Sequence, residues 1–229
     1  MIPLRDSVRP KTIPFVNYAL VLINIYVFYI ELNLSPKELE VFINNFGLIP
    51  QSITSLRWDN LIDVNYRLFL PLITSIFIHG SLLHLVGNML YLWIFGDNVE
   101  DRLGHLKYLL FYLIAGLVGN LTHIYFNSTS TIPTIGASGA VAGVLGAYFL
   151  AFPKAKILAL VPVFLFVTIT QVRAVIFLFL WFFLQLINGL ASFGLSEETQ
   201  MVAWWAHIGG FVAGAVGYLV FRKRKHLER

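Results

Sequence analysis

The chain has 229 residues, of which 58% are hydrophobic and 12% charged, with a formal charge of +4, and its mean hydropathy is +0.75. A soluble domain carries about 25% charged residues, so the composition excludes one and calls for a polytopic membrane protein whose positive excess reflects topology rather than nucleic-acid binding. The absence of cysteine excludes disulfides, thiolate nucleophiles and cysteine metal sites.

Residues 1–11 carry Arg5, Arg9 and Lys11 ahead of an apolar run over 13–32 that is too long for a signal-peptide core and lacks a small-residue cleavage site, so it reads as an uncleaved first span. Ser35-Pro36-Lys37-Glu38 is a helix start, with Ser as cap and Pro at the first position; Leu39, Phe42, Ile43 and Phe46 follow at helical spacing until Gly47. This is expected to be a short amphipathic helix lying in the interface, followed by a long loop of mixed charge through Trp58 and Tyr66-Arg67. From 68 to 95 the apolar stretch exceeds one span of about 20 residues and is interrupted at His79-Gly80-Ser81, so 68–78 is expected to dip into the membrane and 81–96 to form the second span. A charged turn over 96–107, in which Glu100, Arg102 and Gly104 act as capping residues, leads to a third span at 108–126. The polar segment 127–135, which includes an Asn127-Ser128-Thr129 glycosylation sequon, leads to a fourth span at 137–152. Residues 157–170 are expected to be interfacial, with the fifth and sixth spans at 174–190 and 203–221.

Charge supports this division. With the N-terminus inside, thirteen basic residues from Arg5 to Arg229 lie on the cytoplasmic side, and only Lys37, Arg57 and Arg67 remain outside. No repeat supports an inverted-repeat transporter, and no linker divides the chain, so residues 1–229 read as one all-α membrane domain, a six-transmembrane-helix bundle with a long, partly helical first outer loop.

In this topology three helices enter from the outer side with polar residues in their first turns: His84, with Asn88 one turn deeper on the same face, on the second; Ser138 on the fourth; His207 on the sixth. Gly139, Gly143 and Gly146 on the fourth span and Gly210 and Gly214 on the sixth form small-residue seams that allow close approach. Ser138 in Gly136-Ala137-Ser138-Gly139 is packing filler or a nucleophile, and His207 a packing residue, a proton relay or a base. Their shared depth favours a nucleophile and general base. No Asp or Glu lies at that depth to orient the imidazole, and a dyad suffices chemically. His84 and Asn88 are either an interhelical clasp or donors to an oxyanion, to which the Ser138 backbone N–H would add. A metal held by His79, His84 and His207 would lack a carboxylate or cysteine to complete its ligand set; His79 has no role assigned by spacing. A proton or solute relay through His84 and His207 would need polar residues continuing inward, which these helices lack.

Taken together, His84-x-x-x-Asn88, Gly136-x-Ser138-Gly139 and Ala206-His207-x-x-Gly210-x-x-x-Gly214, in that order, resemble the rhomboid family of intramembrane serine proteases over about residues 66–217. The resemblance implies the six-span rhomboid fold and a Ser-His dyad of Ser138 and His207 acting through an acyl-enzyme, with His84 and Asn88 stabilising the oxyanion. His79 matches a histidine often found five residues before the first motif. It implies substrates that are transmembrane segments of other proteins, cleaved near the outer leaflet, and no cofactor or metal. A multi-pass protein of a prokaryotic cytoplasmic membrane is expected, with both termini inside. Where the family usually has Glu-x-Trp-Arg, this chain has Val64-x-Tyr66-Arg67, a departure that concerns loop anchoring. Catalytically silent relatives that only recognise unstable membrane helices typically lack the serine or histidine; both are present here.

Overall fold

The computed structural model describes residues 1–56, 69–163, 166–193 and 202–222. Tyr66, Arg67 and Val64 of the first outer loop, the loop carrying Glu197 and Glu198, and the basic tail from residue 223 lie outside the described residues.

The elements follow in the order β1 (Ile2–Asp6), α1 (Phe15–Leu32), α2 (Pro36–Phe46), α3 (Pro50–Thr54), α4 (Pro71–Thr74) with a 3-10 turn at Ser75–Phe77, α5 (Leu82–Leu103), α6 (His105–Phe126), α7 (Ser138–Ala151), β2 (Lys156–Val163), β3 (Phe166–Arg173), α8 (Ala174–Ser192) and α9 (Trp204–Phe221). Helices α1, α6, α8 and α9 are long and apolar enough to cross a membrane, and α4 with its 3-10 turn and α5 form a fifth candidate bent by 93°. Exposed apolar side chains such as Leu22 and Tyr26 on α1, Ile114 on α6, Leu184 on α8 and Val216 on α9 line the outward faces that lipid would cover.

Helix α7 is the hub. Its 14 residues reach about 21 Å at ~1.5 Å per residue, less than the ~30 Å hydrocarbon layer. Every residue from Gly139 to Tyr148 is buried, because α5, α6 and α9 surround it. Contact with α9 is backbone to backbone: a methyl on Gly210 would collide with the carbonyl of Gly139, and one on Gly214 with that of Gly143. The two glycine seams therefore meet as the small-residue spacing predicts.

The charged turn expected over 96–107 is instead mostly helix. α5 continues to Leu103, Gly104 turns the chain at φ +86°, and α6 starts at His105. The charges are tolerated because they have partners. Glu100, fully buried, accepts hydrogen bonds from the backbone N–H of Val16 (3.1 Å) and Asn17 (2.7 Å), the opening of α1. Asp101 accepts from the backbone of Lys11 and Thr12 and from the Thr12 hydroxyl. Two carboxylates at the end of α5 thus supply the acceptors that the start of α1, entered through Pro14, lacks. Arg102, the basic residue in the last turn of α5, lies over the Phe152 ring, and Gly104 is the C-cap.

The second correction concerns the all-α assignment. Residues 157–170 do not lie as a featureless interfacial stretch. They form most of an antiparallel hairpin, β2 with β3, in register from Lys156 opposite Arg173 to Val163 opposite Phe166. β1 adds to the other edge of β2, Ile2 opposite Leu160 and Asp6 opposite Ile157. Ile157, Val161, Val163, Val167, Thr168, Ile169, Thr170 and Val172 are β-branched, and Ile157 and Ala159 are buried while Leu158 and Leu160 are only half-buried, a period of two that suits a strand. Asp6 ties this sheet to the bundle by accepting hydrogen bonds from the Tyr148 hydroxyl and from Asn98 Nδ2.

On the opposite side, α2 is the amphipathic helix expected, opened by a Ser35–Glu38 capping box and ended at Gly47. The segment expected to dip into the membrane turns through α4 beside α6, where Asn120 Nδ2 donates to the Leu72 carbonyl (2.9 Å) and Ser75 Oγ (3.0 Å).

Candidate active site

Ser138 is the first residue of α7. Gly136, two residues earlier, has φ +126°, a left-handed conformation that glycine adopts without strain, and it bends the chain sharply into the helix. There is a second reason for glycine here. A Cβ at residue 136 would lie 2.7 Å from His84 Nε2 and 3.7 Å from Ser138 Oγ, so this glycine leaves room for the imidazole from α5 beside the turn that leads to Ser138.

His84 is held at that height by the start of α5: Ser81 caps the helix, its hydroxyl accepting from the His84 backbone N–H (3.2 Å). Asn88 lies one turn further, buried, and its amide Nδ2 has no hydrogen-bond partner among the described residues. A buried donor without an acceptor costs about 1–3 kcal/mol, and a bound group offering an oxygen would remove that cost. His79 is 1% exposed, and neither ring nitrogen has a partner. Its ring stands edge-on to that of His84 at 5.1 Å, and its backbone N–H donates to the Glu31 carboxylate of α1 (3.2 Å). His79 therefore packs behind His84, a place spacing did not assign to it.

His207 lies in the first turn of α9, buried. The turn carrying it abuts the turn carrying Ser138: a Cβ on Gly139 would sit 3.4 Å from the Ala206 carbonyl. Of the four residues singled out in the sequence, His84, Ser138 and His207 lie in the first turns of α5, α7 and α9, and Asn88 lies one turn deeper on α5. No hydrogen bond joins Ser138 to His207 in this structure. The imidazole of His207 pairs instead through Nδ1 with Gln185 Oε1 of α8 at 2.8 Å, between the rings of Trp181 and Trp204, each 6.0 Å away.

Gln185 was not foreseen. The readable signal was an amide inside the run Phe182-Phe183-Leu184-Gln185-Leu186, since a polar group at membrane depth needs a partner. The segment carrying the sequon, just after α6, is also explained locally: Asn127 Nδ2 donates to the His123 carbonyl (3.1 Å), and His123 Nε2 pairs with Thr134 Oγ1 (3.0 Å), which fastens the strap leading to Ser138. Among the described residues no group of three His, Asp or Glu side chains could hold a metal ion.

The model of the rhomboid domain matches residues 66–224, from the first outer loop to the end of α9. The chain belongs to the rhomboid family. This rhomboid is similar to the presenilin-associated rhomboid-like protein A, mitochondrial, of Danio rerio, 31% identical over 166 residues, which is 69% of this chain and 40% of that protein. It is 36% identical over 96 residues to rhomboid protein 1, mitochondrial, of Saccharomyces cerevisiae, 40% of this chain and 28% of that one. Over 76 residues, 33% of this chain and 14% of the other, it is 43% identical to the rhomboid protease GluP of Bacillus subtilis. The matched region therefore spans well under half the length of these curated relatives.

Proposed function

We propose that this rhomboid is an intramembrane serine endopeptidase that hydrolyses peptide bonds in or near transmembrane segments of other membrane proteins. What supports the reading is that Ser138, His84 and His207 lie in the first turns of α7, α5 and α9, with the backbones of α7 and α9 in direct contact. In the reaction, His207 Nε2 takes the proton of Ser138 Oγ as Oγ attacks the scissile carbonyl carbon. The carbonyl oxygen becomes an oxyanion that His84, the unpartnered Asn88 amide and the backbone N–H of Ser138 stabilise. Collapse breaks the C–N bond, and the His207 proton leaves on the amine. Water then attacks the acyl-enzyme, giving its proton to His207, and Ser138 recovers it as the acid departs. The Ser138–His207 hydrogen bond that the reaction needs is of a kind that often forms only in the substrate complex.

The reading includes a six-span bundle, with the short α7 completed by its neighbours, and an active site on the side opposite the basic N-terminus. The mitochondrial proteins among its relatives weigh against assigning the chain to a prokaryotic cytoplasmic membrane, so the proposal keeps the orientation and not the compartment. A substrate helix must unwind to expose its backbone to Ser138, which makes segments with helix-destabilising residues the favoured class. Ser138→Ala and His207→Ala are each expected to abolish cleavage of a model single-span substrate with the fold retained; full turnover in either overturns the assignment. A protein that binds helices without cutting them is the alternative, supported by a Ser138 hydroxyl that has no hydrogen-bond partner among the described residues. Covalent labelling of Ser138 by a fluorophosphonate decides between the two.

A further inference from the structure

His207 can act as a base toward Ser138 only through a ring nitrogen that carries no proton. A neutral imidazole has one N–H and one bare nitrogen, and the partner of one decides the state of the other. In this structure the partner is an amide oxygen: Gln185 Oε1 stands 2.8 Å from His207 Nδ1, and both side chains are buried. With the amide in this rotamer its oxygen accepts, which calls for the proton on Nδ1 and leaves Nε2 bare. From this we infer that Gln185 is a positioning residue that locks His207 in the Nδ1–H tautomer and fixes the plane of its ring. The inference rests on the protease reading for its catalytic consequence, but its structural content does not.

Two further features show that the contact is built into the fold. Gly189 lies one turn after Gln185 on α8, and a Cβ there would come within 3.0 Å of Ile208 Cδ1 and 3.5 Å of Trp204 Cβ. The glycine brings α8 against the turn of α9 that carries His207, so the amide can span the gap. Trp181, one turn before Gln185, and Trp204 each place a ring centroid 6.0 Å from the imidazole. A neutral amide orients the ring without placing a permanent charge at membrane depth, where a carboxylate would be costly. The dyad thus has its orienting group after all, on the helix where no acid was available.

The opposite amide rotamer would present N–H₂ to Nδ1, forcing the proton onto Nε2 and removing the base, so the two arrangements differ in a measurable state. The full chain is labelled with ¹⁵N-histidine in phospholipid nanodiscs, and the His207 signals are assigned by their loss in His207→Gln. The expected result is a protonated Nδ1 and bare Nε2 in the parent, a mixed or reversed tautomer in Gln185→Leu, and the parent tautomer in Gln185→Glu, which keeps an acceptor oxygen. A parent ring protonated on Nε2, or a tautomer unmoved in Gln185→Leu, overturns the inference. In kinetics, Gln185→Leu should lower kcat by on the order of 10- to 100-fold with little change in KM, as expected when an orienting partner is lost, and Gln185→Glu should recover most of that loss. A change confined to KM, or no recovery with Glu, would mark Gln185 as packing only. If the parent chain neither labels with a fluorophosphonate nor cleaves, the protease reading fails by itself, while the tautomer measurement still judges Gln185.

Discussion

Asn88 illustrates how a single buried group carries functional information. Its amide donor is buried without a partner among the described residues, a state that folding alone does not reward, and in the proposed reaction it faces the carbonyl oxygen that gains charge. Asn88→Ala should therefore cost kcat on the order of 10²-fold, the usual effect of removing one oxyanion donor, while thermal stability holds or rises because the orphan donor is gone. An interhelical clasp would behave in the reverse way, with stability falling and turnover untouched. Residue types at the site were legible because Ser, His and Asn are conspicuous among apolar neighbours. Gln185 was passed over because its role depends on which helix lies opposite.

At the scale of elements, the contact between α7 and α9 decides whether a site exists. Gly214 has the carbonyl of Gly143 where its own Cβ would be, so Gly214→Val must push the helices apart. The expected destabilisation is about 1–3 kcal/mol or more, measured by denaturant titration in detergent, and labelling of Ser138 should fall with it. A variant of parental stability would mean the seam is looser than described. The glycine spacing made this seam readable in advance. The α5–α6 junction was not readable, since Glu100 and Asp101 look like loop residues until the backbone N–H groups of Lys11 to Asn17 are brought to them. Likewise, the β2–β3 hairpin was hidden by composition: an apolar run of that length suits an interfacial segment as well as a strand, and pairing with residues 2–6 settled the matter.

For the molecule as a whole, the proposed orientation puts Ser7 and Glu40 on opposite sides of the membrane. The chain has no cysteine, so Ser7→Cys and Glu40→Cys can each be probed with an impermeant maleimide in sealed vesicles; the two are expected to label from opposite faces, and labelling from one face refutes the topology. The sheet offers a second test. Burial pushes the Asp6 carboxyl above its ordinary range, against the lowering effect of the Tyr148 hydrogen bond. The folded protein therefore binds this proton more tightly than the unfolded chain does. Its contribution to stability is present below the ordinary carboxylate pKa near ~3.9 and is lost as pH rises through the elevated folded value. Asp6→Asn should flatten that part of the stability-against-pH curve, and an unchanged curve would show that Asp6 does not titrate there.

What the amino-acid order determined alone was the membrane, the apolar helices long enough to cross it, the capping of α2 and the kinds of residue available for chemistry, because hydropathy, helix caps and side-chain type act over a few residues at a time. Tertiary structure decided the rest: that the carboxylates of α5 close the start of α1, that an apolar run pairs as strands with the N-terminus, and that Gln185 rather than an acid faces His207. Each of these joins groups from 22 to more than 150 residues apart in the chain, and a hydrogen-bond partner at such a separation exists only once the helices have packed.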